Sequence, residues 1–362
     1  MSAGRPAHTH LVNLENPDWP PRRGRQGAEQ ANLRTNIDAR SSTDSGLRHP
    51  AIPQASNGYV GRATMIALVE KIAATIICYH PDMASVSRLV AVIAPEVETI
   101  IVHNNGGADS RALQDLHKKV EVTCAHKNLG IATPLNLAVS RAQERGCRFI
   151  VAFDQDSTPK PGMLTELKKA LTTYQDIDSS AIAIGPTLVD NRNGSHKKAP
   201  FPLLLRRKTK IETTEVLVVS HLITSGSMID LSKWNNRITF KEELFIDLID
   251  TQWCWNVCSK GYTILGAKQI EMIHELSDGI IDIKVASLNK YTPARRYYQV
   301  RNAIALSLTE RMPLAQLLFL LKGLTLNVAS AILTDPKKLS STWHCAIGLA
   351  HGLQRRLGPL KS

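Results

Sequence analysis

The stretch Phe149-Ile150-Val151-Ala152-Phe153-Asp154-Gln155-Asp156 decides the fold. Its five apolar or small residues predict a buried strand, and the polar residues after them mark the end of that strand. Earlier in the chain, segments 72–79, 98–102 and 120–125 have the character of strands, and segments 83–94, 112–119 and 134–145 have the character of helices. Strands that alternate with helices predict an α/β domain with a mainly parallel, buried sheet.

Polar residues directly after the strands are the first candidates for a binding site, because ligands of such sheets bind beyond the carboxyl ends of the strands. Three sets qualify: Tyr79-His80, His103-Asn104-Asn105 and Asp154-Gln155-Asp156. Asp154 and Asp156 are two residues apart, so in extended geometry both carboxylates can reach one side of a loop. Oxygen ligands of this kind suit Mg²⁺ or Mn²⁺, which often share them with a diphosphate. Such residues are also common in strand-end turns, so the tripeptide alone leaves both interpretations open.

A second acidic cluster lies within residues 242–253. Asp247 and Asp250 are three residues apart and are flanked by large apolar residues, as expected of carboxylates at the wall of a pocket. One of them could serve as a general base, and both are also typical of a helix N-terminus. His274 follows a strand-like stretch. A lone histidine is more often structural, but its imidazole could complete the coordination of a metal held by Asp156.

Composition divides the 362 residues into three parts. Residues 1–62 are rich in Pro, Arg, Asn, Ser and Gly and are predicted to be disordered. Residues 63–290 are predicted to form the α/β domain, and residues 291–362 to be helical and basic. The first residues lack an apolar core of signal-peptide length, and the six cysteines are scattered as in a reduced protein. We therefore expect a cytoplasmic location.

The net charge of +12 is concentrated near the C-terminus. Residues 284–362 hold 12 Lys or Arg against 2 Asp or Glu, whereas residues 61–283 hold 25 of each. Anionic lipids and phosphorylated acceptors suit such a region, and nucleic acid is the least supported partner because no base-reading module is present. Segment 313–333 is apolar, but Lys322 interrupts it, which favours a packed or interfacial helix over a spanning one. We expect peripheral attachment to the anionic inner face of the cytoplasmic membrane.

Several familiar catalytic patterns are absent from the sequence. It contains no G-x-S-x-G elbow, P-loop, H-E-x-x-H or G-x-G-x-x-G motif. Serine hydrolysis, Walker-type phosphate chemistry and hydride transfer therefore lose support.

An ordered series of segments resembles the bacterial family 2 glycosyltransferases, and within them the rhamnosyltransferase-like branch. The segments are Tyr79-His80-Pro81, Asn128-Leu129-Gly130-Ile131-Ala132, Leu135-Asn136-Leu137-Ala138, Phe153-Asp154-Gln155-Asp156-Ser157, Ser225-Gly226-Ser227, Phe245-Ile246-Asp247-Leu248-Ile249-Asp250-Thr251-Gln252-Trp253-Cys254, Ser259-Lys260-Gly261-Tyr262, His274, Arg295-Arg296-Tyr297-Tyr298 and Arg301-Asn302. Together they span roughly residues 70 to 310.

The resemblance implies a GT-A fold, in which a Rossmann-like, mainly parallel sheet is flanked by helices. It also implies inverting, metal-dependent transfer of L-rhamnose from dTDP-L-rhamnose to a growing, lipid-linked cell-surface polysaccharide such as O-antigen. Asp156 and His274 would bind Mg²⁺ or Mn²⁺, and Asp250, with Asp247 nearby, would act as the base. The residues that the resemblance places at the donor are Tyr79, His103, Asn104, Asn128, Asn136, Asp154, Gln155, Ser225 and Gly226.

Two departures from the family pattern leave alternatives open. His103-Asn104-Asn105 stands where the family places an aspartate near the nucleobase, and Gln252 stands at a position that is often acidic. A transferase that uses another UDP- or GDP-sugar therefore stays possible. So does a non-catalytic glycan- or membrane-binding protein on a degenerate GT-A scaffold.

Overall fold

Four parallel strands form the first half of the central sheet in this computed structural model. The structure describes residues 70–360 except 192–196, 203–214, 275–279, 284–285, 290 and 334, so the predicted disordered segment 1–62 lies outside the described residues. The strands are β1 (Ile72–Cys78), β2 (Thr99–Asn104), β3 (Val120–Cys124) and β4 (Phe149–Asp154), and the helices between them are α1 (Met83–Ile93), α2 (Ser110–Gln114) and α3 (Ala132–Glu144). This alternation confirms the predicted α/β fold.

The second half of the sheet is mixed. Its elements are β5 (Thr158–Pro159), α4 (Met163–Gln175), β6 (Ala181–Asp190), β7 (Lys197–Lys198), β8 (Val216–Val218), β9 (Met228–Asp230), α5 (Ile249–Ser259) and β10 (Thr263–Ile273). The strand order is β3-β2-β1-β4-β9-β6-β10-β5, while β7 pairs with β6 and β8 with β10. The short β9 runs antiparallel to both β4 and β6, whereas β6 and β10 are parallel. The strands β11 (Ile280–Ile283) and β12 (Ala286–Asn289) form a separate hairpin.

Helices cover both faces of the sheet. Successive residues of a strand point to opposite sides, so alternate residues pack against different helices. In β1, Ala74 and Ile76 belong to one buried cluster, which includes α1 and α4, while Ala73 and Ile77 belong to the other, which includes α3 and α5. All seven residues of β1 are buried. A strand covered on both faces reads as a continuous apolar run, which is why the sequence predicts β1 well.

Three helices follow the sheet: α6 (Pro293–Thr309), α7 (Leu314–Leu333) and α8 (Lys338–Leu353). The fully buried Arg296 of α6 links the three helices. Its guanidinium donates to the backbone carbonyl of Asn327 in α7 at 3.0 Å and to Asp335, between α7 and α8, at 3.0 Å. Helix α7 is long and apolar enough to cross a membrane, and 22% of its most apolar window is buried against the protein.

Candidate active site

Asp154, Asp156 and His274 form a cluster beyond the carboxyl end of β4. One ligand atom of each lies within 4.8 Å of the others, and His274 Nε2 is 3.6 Å from a carboxylate oxygen of Asp154. His274 reaches this point because β10, which ends at Ile273, pairs antiparallel with β5 directly after the acidic loop. The spacing of Asp154 and Asp156 suggested a pair of carboxylate ligands, and the family resemblance assigned the metal to Asp156 and His274. The structure brings all three residues together.

The electrostatics of the cluster fit a divalent cation. Burial raises the pKa of Asp154, and the neighbouring Asp156 carboxylate raises it further, whereas His274 and Arg295 lower it. Within the described part of the chain, the buried Nδ1 atom of His274 has no hydrogen-bond partner. A cation between the two carboxylates would remove their mutual repulsion, and carboxylate oxygens with one imidazole suit Mn²⁺ or Mg²⁺.

Gln155 fixes the loop that carries the two aspartates. Its Oε1 accepts a hydrogen bond from the backbone N–H of Tyr79 at 2.8 Å, and its Nε2 donates to the carbonyl of Tyr79 at 3.3 Å. These two hydrogen bonds join the ends of β1 and β4, so both polar atoms of the Gln155 amide are engaged by the protein backbone. The Tyr79 side chain stays partly exposed at the edge of the sheet.

The turn at residues 224–227 packs against the same loop. Ser225 Oγ lies 2.6 Å from Ser157 Oγ and accepts a hydrogen bond from the Asp154 backbone N–H at 3.4 Å. The N–H of Gly226 donates to the carbonyl of Ala152 in β4 at 2.7 Å. Ser225 and Gly226, both predicted at the donor, are thereby placed next to the acidic cluster.

Asp250, in the first turn of α5, is hydrogen-bonded to the same turn. Its carboxylate accepts a hydrogen bond from the Thr251 N–H at 2.6 Å, and the Thr224 N–H also donates to it. It borders an apolar cavity whose walls include Ala152 and Trp253. Burial is the main cause that raises its pKa to about 6, and Asp247 contributes repulsion. A carboxylate with this pKa is ionised at neutral pH and is a stronger base than an ordinary aspartate.

Asp247 is held by α6. Arg295 donates from Nη2 and Nε to its Oδ1 at 3.2 and 3.3 Å, and Gln299 donates to the same oxygen at 3.4 Å. Arg295 also influences the Asp154 carboxylate, so this guanidinium lies within electrostatic range of both acidic groups. Arg295 lies in one of the motifs that carry the resemblance, but nothing local in the sequence signals its contact with a residue so far away in the chain.

Four other residues predicted at the donor have their side chains engaged within the fold. His103 is buried with Nδ1 2.8 Å from Thr123 Oγ1, Asn104 donates to the Ala108 carbonyl, Asn128 accepts from the Gly130 N–H, and Asn136 donates to the Phe240 carbonyl. Their role in donor binding stays a prediction. Asn105, a candidate by its position after β2 but not among the donor residues that the resemblance implies, is buried; it donates to the Gly130 carbonyl and accepts from the Leu129 N–H, so it shapes the loop before α3.

The α/β fold, with an acidic cluster at the edge of the sheet and a further carboxylate at the start of α5, is that of the GT-A class of glycosyltransferases. No family model matches the chain. The dTDP-rhamnosyl transferase RfbF of Shigella flexneri is 31% identical to it over 250 residues, which are 67% of this chain and 81% of that protein. The chain therefore belongs to the rhamnosyltransferase-like branch of the family 2 glycosyltransferases, as the ordered motifs predicted.

Solved structures of S. aureus TarS (1–349) are more distant. The complexes with UDP and with UDP-GlcNAc align with TM-scores of 0.48 and 0.49, at 15% and 13% sequence identity. The alignments cover 79% and 78% of this chain and 82% and 81% of TarS. A likeness at this level carries no information about the substrate of this chain.

Proposed function

We propose that the protein transfers L-rhamnose from dTDP-L-rhamnose, with inversion, to a hydroxyl group of a growing glycan. The observation that carries this proposal is that the turn at residues 224–227 is hydrogen-bonded both to Asp250 and to Asp154, so that a candidate base and a candidate cation site border the same turn. The choice of donor is supported by the 31% identity to an enzyme named as a dTDP-rhamnosyl transferase.

Asp154, Asp156 and His274 are the residues that would hold Mg²⁺ or Mn²⁺. When bound there, the ion would supply positive charge for the diphosphate of the donor. Asp154 starts the acidic loop, and the Ser225 hydroxyl accepts a hydrogen bond from its backbone N–H, so these two residues would contact the donor together. We expect Tyr79, partly exposed at the edge of the sheet, to cover the nucleotide.

Asp250 is proposed as the general base. Its carboxylate takes the proton of the acceptor hydroxyl while that oxygen forms a bond to the anomeric carbon of rhamnose. The bond between the anomeric carbon and the diphosphate oxygen breaks, and its electron pair leaves with dTDP. Because there is one displacement, the anomeric configuration inverts. General-base help of this kind contributes typically about 10²- to 10⁴-fold in rate.

Asp247 is the weaker candidate for the base, because Arg295 and Gln299 already donate to its carboxylate. It borders a cavity of about 330 Å³ between α6 and α7. The wall of this cavity is polar at Tyr291 and Gln299 and apolar at Leu320 and Leu324 of α7. We assign it to the acceptor, whose sugar end would meet Asp247 and whose apolar carrier would follow α7.

We further propose that α7 and α8 attach the protein to the anionic, cytoplasmic face of a membrane. Large apolar side chains are exposed on both helices, with 55% of Leu318, 90% of Leu339 and 65% of Trp343 accessible. The basic excess of residues 284–362 suits anionic headgroups. An interfacial position is favoured over a spanning one, because Asn327 of α7 is buried and hydrogen-bonded to Arg296 of the preceding helix.

Mass-spectrometric detection of donor turnover across a panel of dTDP-, UDP- and GDP-sugars tests the proposed reaction. We expect turnover of dTDP-rhamnose with Mg²⁺ or Mn²⁺, its loss in a chelator, and its recovery when the ion is restored. Asp156→Ala should lose activity, and undiminished transfer by this variant would remove the metal assignment. Binding of dTDP that is no tighter than binding of UDP and GDP would redirect the proposal to another donor.

A further inference from the structure

The loop at residues 244–248, which leads into α5, has a backbone conformation that is unusual for non-glycine residues. Phe245, Asp247 and Leu248 have φ values of 66°, 64° and 60°. Phe245 is the centre of a γ-turn, in which the Ile246 N–H donates to the Leu244 carbonyl at 2.8 Å. L-residues disfavour these conformations, so contacts from elsewhere must hold the loop in place.

Asn302 of α6 supplies such contacts. Its side chain is fully buried, and its Nδ2 donates to the carbonyls of Leu244, Ile246 and Asp247 at 3.1, 2.8 and 2.9 Å. These three carbonyls converge on one amide because of the left-handed turns between them. An extended loop would separate them. The bonds therefore stabilise the unusual conformation specifically.

Arg301 is fully buried beside Asn302. Its Nη2 donates to the Leu244 carbonyl at 2.8 Å and to Asn302 Oδ1 at 2.7 Å, and its guanidinium lies 4.9 Å from the ring centroid of Tyr298. Among the described residues no carboxylate forms a salt bridge with it, and burial lowers the pKa of its guanidinium. Burying a cation without an anion is costly, and backbone carbonyls of this loop and of Gly358 accept the hydrogen bonds that offset the cost.

The loop sets where α5 begins. The Leu248 carbonyl accepts the hydrogen bond of Gln252, one of the first within α5, and Asp250 lies between these two residues. The same loop also contacts the residue that precedes α3, because the Phe245 carbonyl accepts a hydrogen bond from the Ile131 N–H at 2.7 Å. A change in the loop would therefore rotate the first turn of α5 and move the Asp250 carboxylate.

We infer that Arg301 and Asn302 are positioning residues, which hold the 244–248 loop so that Asp250 faces the Asp154–Asp156–His274 cluster. This inference rests on the proposed role of Asp250 as the base. Neither residue is among those that we assign to substrate or metal. Their effect on the reaction is exerted through the backbone of the loop.

The test compares Asn302→Leu, which keeps the approximate volume and removes the donors, with Asp230→Asn as a matched control. Asp230 is also fully buried and hydrogen-bonded, but it pairs with Phe149 at the opposite end of β4 from Asp154. We expect kcat of Asn302→Leu to fall about 10²-fold, as for a displaced base, with KM for the donor changed less than about threefold. Asp230→Asn should lose thermal stability and keep both constants.

Arg301→Lys provides a second variant in case Asn302→Leu does not fold. It keeps the charge and loses the planar fork, so we expect about a tenfold lower kcat. Amide hydrogen exchange of residues 244–250 should be faster in both variants and unchanged in Asp230→Asn. Unchanged kcat in folded Asn302→Leu, or an equal loss of kcat in Asp230→Asn, overturns the inference. If the wild-type enzyme turns over no sugar nucleotide, the proposed function fails, while hydrogen exchange still tests whether the loop is held by these two side chains.

Discussion

Asp250 is the residue for which burial and chemistry are most closely linked. Burial raises the pKa of its carboxylate to about 6, and only the ionised form can accept a proton from the acceptor. We therefore expect kcat/KM for transfer to rise about tenfold per pH unit below about 6 and to level off above it. A pH–rate profile of the wild-type enzyme measures this directly. A profile that is flat across this range would contradict the assignment of Asp250.

The same shift predicts the effect of Asp250→Asn. A folded-state pKa above the unfolded value means that the neutral form is favoured in the fold, so stability is lost as pH rises through about 6. The neutral amide avoids this loss, and we expect the variant to be more stable at pH 8 by up to about 2 kcal/mol while its transfer rate falls about 10²- to 10⁴-fold. Urea unfolding at two pH values and steady-state kinetics check both effects. A variant that loses stability at pH 8 would contradict this account.

Asp230 should show the opposite dependence on pH. Arg148, Ser232 and Gln175 donate to its fully buried carboxylate and, against the effect of burial, hold its pKa well below the usual range. Its stabilisation is therefore present above about pH 4 and is lost as the pH falls below that value. We expect Asp230→Asn to lower the free energy of unfolding at pH 7 by about 2 kcal/mol, with a smaller difference at pH 3. Urea unfolding at both pH values measures it, and an equal difference at both would contradict the prediction.

At the scale of elements, the loop before α3 and the loop before α5 meet at Gly130. This glycine has a φ of 76°, and a Cβ atom there would lie 2.2 Å from the Phe245 carbonyl oxygen. Gly146, at the end of α3, has a similar φ of 67° but no atom within 4 Å of its Cβ position. Gly146→Ala therefore measures the backbone strain alone, about 1 kcal/mol.

Gly130→Ala adds the collision to the same strain. We expect it to lower the melting temperature clearly more than Gly146→Ala does, and to lower kcat, because the displaced Phe245 carbonyl disturbs the segment before Asp250. Thermal unfolding and kinetics of the two variants give the comparison. Equal losses of stability would show that the two loops are less tightly packed than this contact indicates.

The elements that sequence patterns predicted are those with a local signal. Strands β1 and β4 are mainly apolar runs and β2 has an apolar centre, and the end of β4 placed Asp154 and Asp156 correctly at the sheet edge. The strand β9, which has only three residues, was not predicted. It runs antiparallel to both of its longer neighbours and makes this half of the sheet mixed. A short strand of this kind depends on its neighbours and leaves little periodicity in the sequence.

The loop before α5 could not be predicted for a related reason. Left-handed residues are usually signalled by glycine or asparagine, but here they are Phe245, Asp247 and Leu248. Their conformation is set by Asn302, more than fifty residues later in the chain. The motif at residues 245–254 and the motif at Arg301-Asn302 are each recognisable in the sequence, whereas the contact between the two motifs is visible only in the folded chain.

Charge and exposed apolar side chains are distributed unequally along the chain. The α/β domain carries balanced charge, whereas α7 and α8 expose apolar side chains within the basic part of the chain. Removing residues 313–362 would not isolate this surface, because Asp335 is the buried partner of Arg296 and Gly358 accepts from Arg301. Point substitutions of exposed residues are therefore the sharper test of membrane attachment.

We expect the wild-type protein to co-sediment with phosphatidylglycerol vesicles and far less with phosphatidylcholine vesicles. Replacing the exposed Leu339 and Trp343 by serine should weaken binding at least about tenfold, because their apolar surface no longer enters the headgroup region. Replacing Lys337 and Lys338 by glutamine should weaken it about 30-fold, at about 1 kcal/mol for each charge.

The matched control is Ile177→Ser, since Ile177 is 45% exposed but lies in the α/β domain after α4. It should bind vesicles as the wild type does, and all these variants should keep their melting temperatures because the replaced side chains are exposed. Equal binding of the α8 variants and the control would exclude α8 as the membrane-binding element. Undiminished binding at high salt, together with loss in the serine variants, would show that apolar insertion outweighs charge at this surface.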